Sequence, residues 1–161
     1  MAKKNFSLIT ESPHKTRKLG ETIAAFLKPN TIIALCGKLG SGKTMLAKGI
    51  ARGLGIDEHS VVSPSFVLMR EYHRGRLPFF HSDLYRLESK ERIMELGVED
   101  YLNRKGVLAV EWADKTKGIL PLEHLRITIN FLSKNRRRFS FCAAGRRHRD
   151  ILKRITKKLR F

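Results

Sequence analysis

Residues 37–44, GKLGSGKT, match the phosphate-binding pattern G-x-x-x-x-G-K-[ST]. Glycines let the backbone curl so that consecutive N–H groups face phosphate oxygens, and a following helix adds the positive end of its dipole. The pattern predicts that Lys43 reaches the β and γ phosphates of ATP and that the Thr44 hydroxyl binds Mg²⁺. The remaining nucleotide-binding positions of this loop are Gly37, Leu39, Gly40, Ser41 and Gly42.

Two carboxylates follow apolar runs elsewhere in the chain. Residues 77–83 end in Asp83, and residues 107–111 end in Glu111. A carboxylate at the carboxyl end of a buried strand borders the ligand crevice of an open α/β sheet. Nucleotide hydrolysis needs such a group for the metal or for the attacking water. We expect at least one of the two to have this role; the alternative is a salt-bridged acid at the edge of the core.

The segments that position these residues alternate between strand and helix patterns. A short β-branched run at 31–36 leads into the glycine loop, and a helical pattern at 43–54 follows it. Ser12 and Pro13 mark the start of an earlier helix that ends near Pro29. Further strands are predicted at 66–72, 77–83, 106–112, 126–131 and 138–142, and further helices at 89–96 and 147–159.

This order predicts an α/β fold: a P-loop NTPase-like sheet, mixed parallel and antiparallel, flanked by helices. The length of 161 residues favours a single domain, residues 1–161, with a basic C-terminal helix at about 147–160. No apolar run is long enough to span a membrane, and no signal-peptide stretch follows the N-terminus. Cys36 and Cys142 lack CxxC spacing and are predicted to be small core residues. A cytoplasmic location is expected.

The net charge of +18 is concentrated near the C-terminus. Residues 134–161 contain twelve lysines and arginines and one acid, Asp150. The predicted helix places Ile151, Leu152, Ile155 and Leu159 on one side and the cations on the other. The basic side is either a solvated face or a contact surface for a polyanion such as RNA or for an acidic patch on a partner.

Several short motifs occur together in a fixed order. They are GKLGSGKT at 37–44, SPSF at 63–66, HSDLYRL at 81–87, ELGVEDYL at 95–102, VEW at 110–112 and GILP at 118–121. This set resembles TsaE, the ATPase of the bacterial tRNA threonylcarbamoyladenosine pathway, over about residues 12–131. The resemblance implies a slow Mg²⁺-dependent ATPase that docks on the TsaD–TsaB pair. Its hydrolysis would reset that complex between rounds of modification at adenosine 37 of tRNA, and the basic tail is one candidate surface for contact with that tRNA.

The resemblance also implies residue roles. Glu111 resembles the second Mg²⁺ position beside Thr44, and Asp83 resembles the acid that orients or deprotonates the attacking water. Ser65 takes the place of a switch-loop threonine and joins Lys43 and Asp83 as a catalytic position. Two parts of the chain outside the loop complete the nucleotide site: the region of about residues 12–16, which begins at Ser12, and Arg136 after the strand that follows GILP. Lys38 departs from the aspartate usual in the family and puts an extra cation at the loop mouth.

Two other functions fit parts of the sequence. The glycine loop also suits a small-molecule kinase, for which the cluster Arg136, Arg137 and Arg138 could form a lid. An RNA-binding protein with a nucleotide switch would explain the basic tail. Hydrolysis without an acceptor distinguishes the ATPase from the kinase, and salt-dependent tRNA binding by the isolated chain tests the RNA-binding alternative.

Overall fold

A computed structural model describes residues 4–64, 67–116 and 120–160. Its seven strands form one sheet in the order β1-β7-β6-β2-β5-β4-β3. The strands are β1 (Lys4–Thr10), β2 (Thr31–Cys36), β3 (Met69–Tyr72), β4 (Phe79–Asp83), β5 (Val107–Glu111), β6 (Leu125–Phe131) and β7 (Arg137–Ala143). The α-helices are α1 (Pro13–Ala24), α2 (Lys43–Gly53), α3 (Lys90–Glu95), α4 (Val98–Leu102) and α5 (Arg146–Leu159), and 3₁₀ turns occupy Glu58–Ser60 and Ala113–Thr116.

The sheet is mixed, as predicted. Strands β4, β5, β2 and β6 run parallel at its centre, and β3, β7 and β1 join as antiparallel strands toward the two edges. The strand β1 and the short helix α4 were not predicted from the sequence. Part of the strand predicted at 66–72 lies outside the described residues, and the described part forms β3.

Two apolar layers enclose the sheet. Helices α1, α2 and α5 cover one face, and α3 and α4 contribute to a smaller cluster on the other. Helix α1 begins as predicted, because the Ser12 side chain accepts a hydrogen bond from the Lys15 N–H and Pro13 occupies the first turn. Close approach of α1 to α2 requires glycine: a Cβ on Gly49 would lie 2.3 Å from the Arg17 carbonyl oxygen. This contact holds the start of α1 beside the glycine loop.

Helix α5 packs on the core through the apolar side that was predicted from the sequence. Ile151, Leu152 and Ile155 are buried, and Leu159 packs at the margin. His148, on the same side, is buried and its Nε2 accepts the Ile32 N–H at 3.1 Å. The imidazole therefore ties α5 to the start of β2, the strand that enters the glycine loop. No helix in the described part of the chain is long and apolar enough to cross a bilayer.

Because His148 is buried neutral, we expect stability to fall in mild acid. Burial lowers the pKa of His148 from 6.5 to about 4, with His124 and Arg147 adding to the shift. Between those values the unfolded chain binds the extra proton, so the free energy of unfolding decreases as pH falls from 6.5 to 4, by about 3 kcal/mol in all. Above pH 6.5 this stabilisation is fully present. Urea unfolding at pH 7.5 and 4.5 measures the loss.

The control for this pH effect is His148→Gln, in which a side-chain oxygen can still accept the Ile32 N–H. The variant should lose the His148 part of the pH dependence while keeping its remaining slope. Equal loss of stability in the wild type and the variant between pH 7.5 and 4.5 would show that His148 does not cause it.

Candidate nucleotide and magnesium site

The glycine loop connects β2 to α2 in a conformation that depends on its glycines. Gly40 and Gly42 have left-handed φ angles of 77° and 110°, which disfavour any side chain there. At Gly37 a side chain is excluded by close packing. A Cβ there would lie 2.6 Å from Ser41 Oγ and 2.7 Å from the Ile129 carbonyl oxygen. The loop therefore presents a backbone cradle at the start of an 11-residue helix.

The Lys43 ammonium group lies inside this cradle. Its Nζ donates to the carbonyl oxygens of Gly37 at 2.7 Å and Lys38 at 2.9 Å, and it lies 4.1 Å from the centre of the Trp112 ring. Burial lowers the pKa of Lys43, and the carboxylates of Glu111 and Asp83 oppose that shift. A partly desolvated ammonium surrounded by oxygen atoms is well placed to bind phosphate.

The two predicted carboxylates lie side by side at the same edge of the sheet. Asp83 and Glu111 are register partners at the ends of the parallel strands β4 and β5. The Thr44 hydroxyl donates to Glu111 Oε1 at 2.9 Å, so the two predicted metal ligands are in direct contact. Burial raises the pKa of Asp83; the hydrogen bond from the Tyr85 N–H, at 2.9 Å, opposes the rise and the Glu111 charge adds to it.

His81 is a part of the site that was not singled out from the sequence. It is fully buried, and its Nε2 lies 2.6 Å from Glu111 Oε2. An ionised carboxylate only accepts, so His81 donates this hydrogen bond. Thr44 thus contacts both oxygens of Glu111, at 2.9 and 3.3 Å, and His81 contacts Oε2. The alternation of side chains along a strand could have identified His81 as part of the site, because His81 is two residues before Asp83 and projects to the same face.

Two cavities flank the glycine loop. The larger, about 420 Å³, lies between the loop, Asp83 and Glu111 and is also lined by Tyr85 and Trp112. The smaller, about 220 Å³, lies on the other side of Gly40 and Gly42. Its further lining residues are Pro13, Thr16, Met45, Lys134, Asn135 and Arg137. The glycine loop, at Gly40 and Gly42, therefore borders both spaces.

The two predicted nucleotide-binding parts outside the loop differ in how close they lie to these cavities. Within the predicted region 12–16, Ser12 caps α1, and Pro13 and Thr16 line the smaller cavity. Arg136 is exposed in the β6–β7 turn, whereas Arg137 donates from Nε to the Ser41 carbonyl oxygen at 3.0 Å. The register of β7 against β6, which the sequence does not encode locally, decides which arginine reaches the loop.

Two further predictions from the sequence concern Ser65 and Lys38. Ser65 lies outside the described residues, and the nearby Ser63 lines the larger cavity. Lys38 is exposed, so its ammonium group is available at the surface, while its carbonyl oxygen binds Lys43.

Comparison with known proteins assigns the fold and the family together. The family model described as "Threonylcarbamoyl adenosine biosynthesis protein TsaE" matches residues 10–139. The chain belongs to the TsaE family. A tRNA threonylcarbamoyladenosine biosynthesis protein TsaE from Bacillus subtilis is 38% identical over 148 residues, covering 92% of each chain. The TsaE of Treponema pallidum is 34% identical over 129 residues, 80% of this chain and 94% of its own.

A solved structure has the same architecture as this chain. The crystal structure of Bacillus subtilis YdiB superposes with a TM-score of 0.83 at 33% identity, covering 98% of both chains. The predicted fold class, a P-loop sheet flanked by helices, is confirmed.

The side chains of this TsaE-family site suit Mg²⁺ bound together with a nucleotide. A hydroxyl and a carboxylate in contact are the oxygen ligands that Mg²⁺ takes, with phosphate oxygens and water completing its shell. Within residues 4–64, 67–116 and 120–160 no cluster of three or more His, Cys, Asp or Glu side chains could hold a metal by itself. A metal that is shared with phosphate fits this donor set better than a permanent structural ion.

Proposed function

We propose that this chain is a Mg²⁺-dependent ATPase of tRNA N6-threonylcarbamoyladenosine formation. Membership of the TsaE family supports the pathway, and the observation that carries the ATPase assignment is the contact between Thr44 and Glu111 beside Lys43. Lys43 and Thr44 lie where the glycine loop enters α2, Glu111 ends β5, and the three meet at one edge of the sheet. Asp83 adds a second carboxylate there.

Each side chain has a separate role in this proposal. The loop N–H groups and Lys43 bind the phosphates, and Thr44 with Glu111 would hold Mg²⁺. The metal, when bound, neutralises charge on the transferred phosphoryl group. His81 keeps the Glu111 carboxylate in one orientation through its 2.6 Å hydrogen bond. Asp83 accepts a hydrogen bond from the attacking water, and its raised pKa suits a group that takes a proton.

The smaller cavity is proposed to receive the nucleoside. Pro13 and Met45 supply apolar surface for a base, and Thr16 and Arg137 supply polar contacts. Arg137 takes the place that the sequence suggested for Arg136, because its guanidinium group already bonds the loop at Ser41. Arg137 also lies 4.5 Å from the Phe131 ring, which restrains its side chain.

The proposed partners are TsaD and TsaB, and the whole of residues 1–161 acts as one cytoplasmic domain. The test measures phosphate release from Mg²⁺·ATP by the purified chain, without an acceptor, alone and with the TsaD–TsaB pair. We expect slow release alone and faster release with the pair, because contacts from a partner would complete the catalytic site. Phosphate transfer only in the presence of a small-molecule acceptor would instead establish a kinase.

A further inference from the structure

We propose that the exposed face of α5 binds the phosphate backbone of a base-paired RNA stem, in the first instance a stem of tRNA. The choice of tRNA rests on the proposed function. The existence of a positively charged surface is independent of the proposed function, because this surface follows from the side chains of α5 alone.

Nearly all exposed side chains of α5 are cationic. Its buried side consists of His148, Ile151, Leu152, Ile155 and Thr156, so the apolar half of the helix is already used in the core. Exposed on the other side are Arg146, Arg147, Lys153, Arg154, Lys157, Lys158 and the capping residue Arg160. Asp150 is the only acid of the helix. The result is a surface of predominantly one sign along the whole helix.

The cations of α5 are not neutralised within the described part of the protein. Among the ion pairs formed inside residues 4–64, 67–116 and 120–160, none includes a side chain of this helix. Arg147 donates to the uncharged Asn30 carbonyl oxygen at 3.4 Å, and Arg160 lies 5.9 Å from the Phe6 ring. Adjacent like charges repel one another, and binding to a polyanion relieves that repulsion while releasing the polyanion's counterions.

The composition of this face favours RNA over a protein or a membrane. A protein interface has an apolar or aromatic centre, and the exposed residues of α5 supply none. An amphipathic helix that binds a bilayer inserts its apolar side, but that side of α5 is occupied by the core. Stacking of single-stranded bases needs exposed aromatic side chains, which Arg146–Leu159 does not contain. A row of cations about 21 Å long therefore matches duplex phosphates.

The basic face continues toward the nucleotide end of the molecule. At the last turn of α5, Leu159 shares a shallow pocket with Lys15 and Lys18 of α1. Helix α1 in turn begins at Pro13, which lines the smaller cavity beside the glycine loop. An RNA stem on α5 would thus approach the edge of the sheet at which the nucleotide is proposed to bind.

The test compares tRNA binding by the full chain and by the triple variant Lys153→Gln, Lys157→Gln, Lys158→Gln. Fluorescence anisotropy with labelled tRNA, and with an RNA duplex of tRNA-stem length, is measured from 50 to 300 mM KCl. At 50 mM KCl we expect the triple variant to bind both RNAs at least about tenfold more weakly than the wild-type chain does. The slope of log K against log salt should become shallower by about 2 to 3, since each lysine lost removes about one phosphate contact.

A matched control removes three cations elsewhere: Arg74→Gln, Lys90→Gln, Arg92→Gln. These residues are exposed in the β3–β4 turn, next to the edge strand β3, and on α3, which packs on the sheet face opposite to α5. The control loses the same net charge and should keep wild-type affinity and salt slope. Equal weakening in both variants would mean that net charge alone attracts RNA, and unchanged binding by the α5 variant would mean a solvated face; either result overturns the proposal.

Two further measurements distinguish RNA binding from binding to a protein or a membrane, and from a loss of fold. If the α5 variant binds tRNA normally but loses the TsaD–TsaB pair or vesicles of anionic lipid, the face serves that partner and the RNA proposal is wrong. Thermal unfolding and ATP hydrolysis by the isolated variant should stay near wild type, because the changes are on the surface. Absence of hydrolysis in the wild-type chain would refute the proposed ATPase and leave the RNA result intact.

Discussion

Lys43→Ala is expected to abolish measurable ATP hydrolysis, with a loss of about 10²- to 10³-fold or more in kcat. ATP binding should weaken by about 10- to 100-fold, the equivalent of one charge-assisted hydrogen bond to phosphate. The physical reason is that this lysine is 5% exposed and its ammonium group lies inside the cradle, within hydrogen-bonding distance of two loop carbonyls. Among the described residues, no other lysine lines the larger cavity.

Trp112 provides a direct readout for this variant. It is the only tryptophan of the chain, and its ring lies 4.1 Å from Lys43 Nζ. Trp112 also holds a left-handed φ of 59°, a conformation that costs free energy in a non-glycine residue. We expect nucleotide titration to change tryptophan fluorescence in the wild type and to require far higher ATP concentrations in Lys43→Ala.

The matched control is Lys48→Ala, which removes the same charge from the next turn of α2, outside the lining of both cavities. Its hydrolysis and binding should remain near wild type. A circular dichroism melt of each variant separates loss of binding from loss of fold. Wild-type turnover by a folded Lys43→Ala would refute the role given to this residue.

The second prediction with a large effect is that substitutions of Glu111 and Asp83 have different consequences. Glu111→Gln should remove the dependence of nucleotide binding on Mg²⁺, because the lost charge is the one in contact with Thr44. Asp83→Asn should retain Mg²⁺-dependent binding but lose about 10²- to 10⁴-fold in hydrolysis, the usual contribution of a general base. The Asp83 carboxylate accepts from the Tyr85 N–H, whereas the Thr44 hydroxyl donates to Glu111.

Nucleotide titrations with and without Mg²⁺, together with single-turnover hydrolysis, measure both variants. Asp114→Asn serves as the control, since Asp114 is an exposed acid three residues after Glu111 and lies outside the lining of the larger cavity. It should change neither quantity by more than a few-fold. If Glu111→Gln and Asp83→Asn behave alike in both assays, the separate roles of the two acids are wrong.

The sequence by itself determined the features that are encoded within a few consecutive residues. The glycine loop is one, because the φ angles at Gly40 and Gly42 are accessible to glycine and the helix start follows directly. The buried side of α5 is another, because its apolar spacing repeats within one helix. The fold class followed from the alternation of such local patterns, and so did the position of both carboxylates at strand ends.

Contacts between distant segments were decided only by the tertiary structure. Thr44 meets Glu111 across 67 residues, and His148 meets Ile32 across 116, because strand order and helix packing bring them together. The register of β7 places Arg137 rather than Arg136 against Ser41, and the pairing of β1 with β7 creates a strand that was not predicted. Local periodicity identifies which face of a segment is buried; it does not specify which neighbour covers that face, since many pairings bury similar apolar area.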